Sequence, residues 1–423
     1  MKALKIVFLD LPQNKYSLTA LLGSLETKEE ILSEVEISFA KTKEELFSEI
    51  SEGLKTYPLQ LACFSFFTTQ VWEIIPILTE VKNLYKDRVL VCAGGAHPTG
   101  DFKRVLKAGA DCVVLGEGEQ TFIDLLECIL NRKSFEAVEG IAFKDINGKI
   151  KLNPRKVYVD LDQFLPFSPR FKRFGPLEIT RGCPFACNFC QTSRIFGVKV
   201  RHRSIEKVLS IVEMLFKRGL TDIRFITPNA FSYGSEDGKT INLERLEELL
   251  KGIKGLLKNR GRIFFGSFPS EVRPEHVTPE TISLVKTYAS NDNLVIGAQS
   301  GSERILQLCK RSHTVEDVYR AVKLTVKAGL TPKVDFIFGL PYETEEDVRQ
   351  TIKVIEDLVK MGAVVHAHTF MPLPQTPFLR KPPGKLSEDL IKLIKSLTGK
   401  GLLFGDWEAQ QKLSQKIYEY FNS

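Results

Sequence analysis

Residues 180–190 read Thr-Arg-Gly-Cys-Pro-Phe-Ala-Cys-Asn-Phe-Cys and place three thiols, Cys183, Cys187 and Cys190, in one short loop. Thiolates select soft metals, so the loop is a candidate site for zinc or for an iron–sulfur cluster. Three thiolates can hold three irons of a 4Fe–4S cube and leave the fourth iron open. A zinc ion would need a fourth thiolate or imidazole nearby, and His202 lies twelve residues past the last cysteine in a basic stretch. On spacing alone, both metals stay open.

The loop follows the first of six strand-like segments that alternate with helix-like ones. Strands are predicted at Leu177–Thr180, Asp222–Thr227, Arg262–Phe268, Asn293–Ala298, Lys333–Phe338 and Val364–Phe370. Helices are predicted at Ile205–Lys217, Leu243–Leu257, Thr281–Tyr288, Val315–Ala328 and Glu345–Met361. Such repeats predict a parallel sheet that curls into a partial or complete barrel, with ligands at the carboxyl ends of the strands.

The N-terminal third alternates in the same way. Strand-like runs occupy Lys5–Leu11, Glu34–Ala40, Leu59–Phe67, Val89–Gly95 and Asp111–Gly116. Helical spacing of apolar residues marks Glu44–Leu54, Val71–Tyr85, Phe102–Ala108 and Thr121–Leu130. This order predicts a doubly wound parallel sheet, and a hairpin over Gly140–Leu152, with Asn147-Gly148 at its turn, closes it.

These patterns predict an α/β protein with four parts. A doubly wound domain covers residues 1–153, and a proline-rich linker without helical period covers 154–176. The partial (βα)6 barrel covers 177–375, and a short helical cap with amphipathic stretches at Ser387–Leu397 and Glu408–Phe421 covers 376–423.

The composition excludes several protein classes. With 43% hydrophobic and 26% charged residues, the 423-residue chain is neither disordered nor fibrous, and no apolar run reaches the ~20 residues of a membrane helix. We find no cleavable signal pattern and expect a cytoplasmic protein without membrane association. The net charge of +7 is mild, so a nucleic-acid partner is not expected. Five of the eight cysteines, Cys63, Cys92, Cys112, Cys128 and Cys309, lie in apolar or helical segments and are predicted to be core.

The pattern Cys-x3-Cys-x2-Cys, with Phe189 directly before the last cysteine, resembles the signature of the radical S-adenosylmethionine (SAM) superfamily. The resemblance implies that Cys183, Cys187 and Cys190 ligate a 4Fe–4S cluster, that SAM chelates the open iron, and that one electron cleaves SAM to a 5′-deoxyadenosyl radical. It also implies that Phe189 contacts the adenine.

Further positions of the barrel resemble SAM contacts of that superfamily. At the end of the second strand, Asn229 stands where many relatives have an acidic or glycine-rich turn, so the amino group of SAM is expected to contact Asn229, the Thr227 hydroxyl or the backbone. Ser300 and Arg311 lie in segments that resemble those holding the ribose and carboxylate. Gly339 resembles the adenine-side turn.

The first domain has no Gly-x-Gly-x-x-Gly after its first strand, which disfavours a nicotinamide cofactor. It instead resembles the cobalamin-binding domain fused to many radical SAM enzymes. Small and hydroxyl residues that would admit the nucleotide tail of a corrin follow its third, fourth and fifth strands. The expected contacts are Ser65, Thr68, Gly94, Gly95, Gly116, Glu117 and Gly118. The resemblance leaves two alternatives, a cobalamin bound without a protein histidine and a domain that has lost its cofactor. His97 is either a corrin contact or a loop-stabilising residue.

The expected function is a radical SAM enzyme, and the resemblance favours cobalamin-dependent methylation of an unactivated carbon. In that reaction one SAM methylates cobalamin and a second gives the radical that abstracts hydrogen. The alternatives are a cobalamin-linked radical cyclisation or rearrangement, a methylthiotransferase-like modification, and a non-catalytic cobalamin-binding module. The sequence does not name the substrate, a small molecule or peptide, and an electron donor such as flavodoxin or ferredoxin is expected.

Overall fold

The computed structural model describes residues 2–423, which divide at Gly175 and Pro176 into two compact units. The first unit is built on one seven-stranded sheet, in the order β2-β1-β3-β4-β5-β6-β7. Its strands are β1 (Leu4–Leu9), β2 (Val35–Ala40), β3 (Gln60–Ser65), β4 (Val89–Gly94), β5 (Cys112–Val114), β6 (Ile141–Lys144) and β7 (Ile150–Asn153). The first five are parallel and the last two form the predicted antiparallel hairpin.

Seven helices accompany this sheet within the part of the chain that the structure describes. They are α1 (Lys15–Leu25), α2 (Glu29–Glu34), α3 (Lys43–Gly53), α4 (Val71–Tyr85), α5 (Ala96–Gly100), α6 (Phe102–Lys107) and α7 (Glu119–Leu130). All six residues of β1 are buried, because a central parallel strand is covered on both faces. Cys63, Cys92 and Cys112 are neighbours in register across β3, β4 and β5, and all three are buried in the core, as predicted.

Helix α1 was not predicted, because Gly23 and several small polar residues weaken its helical pattern. The structure gives Gly23 a packing role. A Cβ atom at this position would lie 2.6 Å from the carbonyl oxygen of Phe167 and would also overlap the carbonyl oxygen of Leu165. Glycine therefore allows the backbone of a distant segment to cross the helix closely.

That distant segment belongs to the stretch for which the sequence predicts a linker. In the structure, residues 154–175 are part of the first unit. Leu161, Phe164 and Phe167 are buried, and Arg173 forms a 2.7 Å ion pair with Asp10 at the end of β1. Proline density removes helical periodicity, but it does not prevent an irregular segment from burying aromatic side chains.

The second unit contains parallel strands in two sheets. One has the order β12-β11-β8 and the other β13-β14-β15-β16, and an isolated parallel bridge joins Val272 to Ile296 of β13. The strands are β8 (Leu177–Glu178), β9 (Thr180–Arg181), β10 (Arg201–His202), β11 (Asp222–Ile226), β12 (Arg262–Phe264), β13 (Asn293–Gln299), β14 (Thr331–Phe338), β15 (Val364–Thr369) and β16 (Leu403–Phe404). The short β9 and β10 pair antiparallel in a ribbon of their own. The predicted α/β repeat is thus confirmed.

The helices of this unit follow the predicted alternation. They are α8 (Thr192–Phe196), α9 (Ile205–Lys217), α10 (Leu243–Leu257), α11 (Pro279–Tyr288), α12 (Glu303–Leu308), α13 (Val315–Lys327), α14 (Glu345–Lys360), α15 (Glu388–Gly399) and α16 (Trp407–Asn422). The sequence predicts a helical C-terminal cap. The structure differs, because β16 lies between α15 and α16 and adds a parallel strand beside β15. Across residues 2–423, no helix is both long and apolar enough to cross a membrane.

We expect Gly23→Ala to destabilise the protein by roughly 1–3 kcal/mol, because the added methyl group would be forced against two backbone carbonyls. Gly255→Ala in helix α10 is the matched control. A Cβ atom there has no neighbour within 4 Å, so alanine should stabilise the helix by about 0.5–1 kcal/mol. Urea denaturation of both variants measures whether the free energy of unfolding falls for Gly23→Ala and rises for Gly255→Ala. Stabilisation by Gly23→Ala would contradict the close packing of residues 165–167 on helix α1.

Candidate functional site

The three-cysteine loop begins at a glycine that the backbone requires. Gly182 has φ +87°, and a Cβ atom there would overlap the carbonyl oxygen of Lys199. The Cys183 amide donates to the Gly197 carbonyl at 3.1 Å, and the Ser193 hydroxyl donates to the Cys183 carbonyl at 2.8 Å. These bonds fix the first cysteine against the chain that returns after the loop.

Asn188 fixes the other end of the loop, a role that the sequence analysis missed. Its backbone amide donates to the Cys309 carbonyl at 3.0 Å and its side-chain amide donates to the Leu308 carbonyl at 2.7 Å. The Cys190 amide donates to the Cys187 carbonyl at 3.1 Å. The C-terminal end of helix α12 therefore supports the loop, and only the fold brings these residues together.

The sulfur atoms suit a cluster better than a single zinc ion. Four ligands around zinc at Zn–S distances of about 2.3 Å would bring sulfurs within roughly 3.8 Å of one another. Among residues 2–423, one group of three or more His, Cys, Asp or Glu has all its ligand atoms within 4.8 Å of one another, and it does not include these cysteines. At least one pair of their sulfurs is therefore farther apart than tetrahedral zinc requires. This donor set fits the larger 4Fe–4S cube.

The surroundings of the thiols bear on how they would bind a metal. Burial raises the pKa of the Cys183 and Cys190 thiols, because a thiolate is poorly solvated there, and so favours their neutral form. The Arg311 guanidinium donates to the Cys187 sulfur at 3.7 Å and to the Gly297 carbonyl at 2.7 Å. A bound metal would supply the positive charge that stabilises the thiolate form, with Arg311 adding to it at Cys187.

Arg311 belongs to a buried polar network inside the second unit. Burial and the nearby Asp335 carboxylate raise the pKa of Glu271 to about 7, while Arg311 and Arg273 oppose this shift. The Arg273 guanidinium lies 3.5 Å from the centre of the Phe185 ring in the cysteine loop. The sequence predicts Arg311 as a SAM contact, and the structure places it beside Cys187, a predicted cluster ligand.

The other predicted SAM contacts have internal partners in the structure. The Asn229 side-chain amide donates to His276 Nδ1 at 2.7 Å and its oxygen accepts from the Arg273 amide at 3.2 Å. The Thr227 hydroxyl donates to the Asn229 carbonyl at 3.2 Å. Which of the three expected groups contacts the amino group of SAM stays a prediction.

Ser300, Gly339 and Phe189 lie on the same unit. The Ser300 hydroxyl accepts from the Ser302 amide at 3.2 Å. Gly339 has φ +70°, and a Cβ atom there would lie 2.8 Å from the Gly384 carbonyl oxygen, so a crossing segment accounts for this glycine. Phe189 packs against a small buried cluster, which consists of Ile305, Cys309, Leu340, Phe370 and Phe378. Their roles toward SAM stay predictions.

In the first unit, the expected cobalamin contacts lie at the carboxyl ends of β3, β4 and β5. Gly94 is half-buried, and a Cβ atom there would make only an ordinary contact, 3.8 Å from Val114. Ser65 is half-buried and pairs with Gly94 in register. Gly95 has φ +95°, and a Cβ atom there would lie 3.0 Å from the Phe66 backbone. Ser65 and Gly94 are thus partly exposed at adjacent strand ends, and their contact with cobalamin stays a prediction.

The residues after β5 have roles within the fold of this unit. Gly116 has φ +70° and its amide donates to the Thr99 hydroxyl at 3.0 Å. The buried Glu117 carboxylate accepts from the Val159 amide at 2.9 Å and from Arg155 at 3.2 Å. A Cβ atom at Gly118 would lie 2.7 Å from the Leu21 side chain. Packing therefore accounts for Glu117 and Gly118 without a ligand.

His97 stabilises the loop after β4. Its ring is fully buried, stacks on Phe66 with centroids 5.4 Å apart, and lies with Nδ1 3.2 Å from the Thr68 hydroxyl. Burial, helped by the positive charge of Arg104, lowers the pKa of His97 to about 3. These contacts favour the loop-stabilising interpretation over a corrin contact.

We expect anaerobically reconstituted protein to hold about four irons per chain. Alanine at Cys183, Cys187 or Cys190 should remove the iron and its visible absorption, because each change deletes one ligand. Cys309→Ala is the matched control, since Cys309 meets the loop through its carbonyl and its side chain packs in a hydrophobic cluster. Tight zinc binding at the loop, with no iron taken up, would contradict the cluster.

We expect His97 to make the protein acid-sensitive. Below the ordinary pKa of 6.5 the unfolded chain protonates this histidine, whereas the native state stays neutral until about pH 3. The free energy of unfolding should therefore fall as the pH falls from 7 to 5.5, by about 1 kcal/mol from this group. His97→Gln should lose less stability over that range in urea denaturation. An equal loss in both proteins would contradict the neutral buried imidazole.

Comparison with known proteins agrees with this geometry. An uncharacterized methyltransferase of Pyrococcus horikoshii is 28% identical over 327 residues, which cover 74% of this chain and 67% of the relative. The solved structure of the cobalamin-dependent SAM radical enzyme OxsB, with aqua-cobalamin and SAM bound, has a TM-score of 0.69 at 16% identity, covering 100% of this chain and 60% of that chain. The structure of the radical SAM methyltransferase TsrM from Kitasatospora setae, with cobalamin and a 4Fe–4S cluster bound, has a TM-score of 0.67 at 18% identity. The match covers 89% of this chain and 74% of that chain. At these identities, the two structures show a shared fold.

Family models identify both units. The B12 binding domain matches residues 18–126, and the radical SAM superfamily matches residues 177–355. The first match contains β2 to β5 and so includes the expected cobalamin contacts after β3, β4 and β5, and the second match contains the cysteine loop. The chain therefore joins a B12-binding domain to a domain of the radical SAM superfamily, with cobalamin, a 4Fe–4S cluster and SAM as the cofactors of these domains.

Proposed function

We propose that this radical SAM enzyme catalyses the cobalamin-dependent methylation of an unactivated carbon. The observation that carries the proposal is the presence of both domains in one chain. The relative from Pyrococcus horikoshii, which matches 74% of this chain, is named an uncharacterized methyltransferase. That name supports group transfer over a binding role. A chain that only sensed cobalamin would have no use for a loop that leaves one iron open.

The residues of the second unit would have different roles in this reaction. Cys183, Cys187 and Cys190 would hold the cluster, and Arg311 would offset part of the charge at Cys187. When bound, the cofactors supply a methyl group and an organic radical that abstracts hydrogen. Asn188 and Gly182 keep the loop in place, so that the cluster is held at a fixed position.

The buried cysteines of the first unit argue against a methylthiotransferase. Such an enzyme is expected to carry a second three-cysteine cluster in its N-terminal domain. Here Cys63, Cys92, Cys112 and Cys128 are all buried within strands or a helix, and none lies on a loop. A radical cyclisation or rearrangement differs from methylation only in the fate of SAM, so the products decide between them.

The experiment measures two products of SAM after reduction, with and without hydroxocobalamin. We expect S-adenosylhomocysteine to form only when cobalamin is present, because methylation of cobalamin releases it, and 5′-deoxyadenosine to form in both cases. Gly94→Leu should lose cobalamin and S-adenosylhomocysteine but keep 5′-deoxyadenosine, since the longer side chain would project from the strand edge where cobalamin is expected. Cys187→Ala should lose 5′-deoxyadenosine.

Gly255→Leu is the control for the glycine change, because Gly255 is exposed in helix α10 and a Cβ atom there has no neighbour within 4 Å. It should keep both products. If 5′-deoxyadenosine forms but cobalamin never supports S-adenosylhomocysteine, the reaction is a radical rearrangement. If neither product forms from a fully loaded and reduced cluster, the chain is a binding module.

A further inference from the structure

Three side chains on neighbouring strands of the second unit converge on one point. His366 Nδ1 lies 3.0 Å from Asp335 Oδ1, and His368 Nε2 lies 3.2 Å from the same His366 Nδ1. Their ligand atoms all lie within 4.8 Å of one another. No motif in the sequence analysis included them, and none of them belongs to the cysteine loop.

Strand register produces this convergence. Asp335 of β14 and His366 of β15 are direct partners in the parallel ladder, and His368 lies two residues further along β15 on the same face. Val365 and Ala367 on the opposite face are fully buried. The three side chains therefore project together from the face of the sheet that also meets Glu271, whose carboxyl group interacts with both Asp335 and Arg311.

Hydrogen bonding alone does not satisfy these three atoms well. His366 Nδ1 can carry one hydrogen, and it faces two acceptors, a carboxylate oxygen and an imidazole nitrogen. If Nδ1 carries no hydrogen, its lone pair opposes that of the Asp335 carboxylate. A single cation between the three groups would accept all three lone pairs at once. The separations of 3.0 and 3.2 Å are near the ~3.3 Å expected between tetrahedral ligands at ~2.0 Å from zinc.

The surroundings hold the cluster in shape. Asp335 is buried and both histidines are half-buried, so the group is shielded but reachable. Phe404 of β16 stacks on the His366 ring with centroids 4.4 Å apart and an interplanar angle of 9°. This stacking fixes the direction of the imidazole, as the supports of metal-ligating histidines usually do.

We propose that Asp335, His366 and His368 form a mononuclear site for a divalent transition metal ion, separate from the iron–sulfur cluster. Two imidazoles and one carboxylate are a ligand set typical of Zn²⁺ and non-haem Fe²⁺, and three protein ligands leave coordination positions open. Those positions would take water or an oxygen or nitrogen atom of a ligand inside the barrel. The proposal rests on the geometry of these residues and does not depend on methyl transfer.

The test uses full-length protein with its iron–sulfur cluster reconstituted, stripped of loose metal by a mild chelator and then given Zn²⁺. We expect about one zinc per chain, in addition to about four irons, by elemental analysis. Asp335→Asn and His368→Gln keep the side-chain shape but weaken or remove a ligand, and each should weaken zinc binding at least about 100-fold. His202→Gln removes a histidine outside the group and should bind zinc as the wild type does.

Zinc-edge X-ray absorption of the wild-type protein makes the test independent of how the variants fold. Only nitrogen and oxygen ligands, with two imidazoles, support the proposal, whereas sulfur ligands would place the zinc at the cysteines and overturn it. Wild-type protein that retains less than about 0.2 zinc per chain also overturns it. Equal binding by the wild type and by Asp335→Asn has the same consequence. Production of 5′-deoxyadenosine by zinc-free protein tests the proposed function separately.

Discussion

The placement of three thiols in one loop, one buried and two half-buried, is the constraint on which the second unit depends. A thiolate is poorly solvated there, and burial raises the pKa of Cys183 and Cys190. The fold places the Arg311 guanidinium beside the Cys187 sulfur, where its charge favours a thiolate. Hydrogen bonds from the Cys183 amide and from the backbone and side-chain amides of Asn188 to the carbonyls of Gly197, Cys309 and Leu308 then hold the loop in place. The cluster would supply the positive charge that stabilises the thiolates, and the protein would fix the position of the cluster.

Parallel strands explain why the polar residues of both units gather at a few places. All strands of a parallel sheet end at the same edge, so loops that are far apart in the chain meet there. In the first unit this brings Ser65 and Gly94 side by side after β3 and β4. In the second unit the ladder between β14 and β15 brings Asp335 next to His366. The same geometry that buries the apolar residues thus creates both candidate sites.

Several glycines and one acidic residue show how a binding pattern and a packing pattern can look alike. Gly118 and Gly339 resemble ligand-approach positions, yet the Leu21 side chain and the Gly384 backbone occupy the space beside them. Glu117 accepts hydrogen bonds from Arg155 and Val159 within its own unit. Gly94 differs because a Cβ atom there would make only an ordinary contact, 3.8 Å from Val114. Small residues after strands therefore mark a crowded edge, and only the neighbours decide whether a ligand can enter.

The sequence by itself determined the features that depend on short spacing. The cysteines of residues 183–190 and the alternation of strand and helix are written in neighbouring residues, so the cluster loop and the α/β fold could be predicted from local pattern. The tertiary structure alone decided that residues 154–175 pack on the first unit and that Asn188 supports the loop. It also decided that Asp335, His366 and His368 meet. Such contacts join positions far apart in the chain. They are determined by strand register and by close backbone crossings, and neither leaves a periodic signal in the sequence.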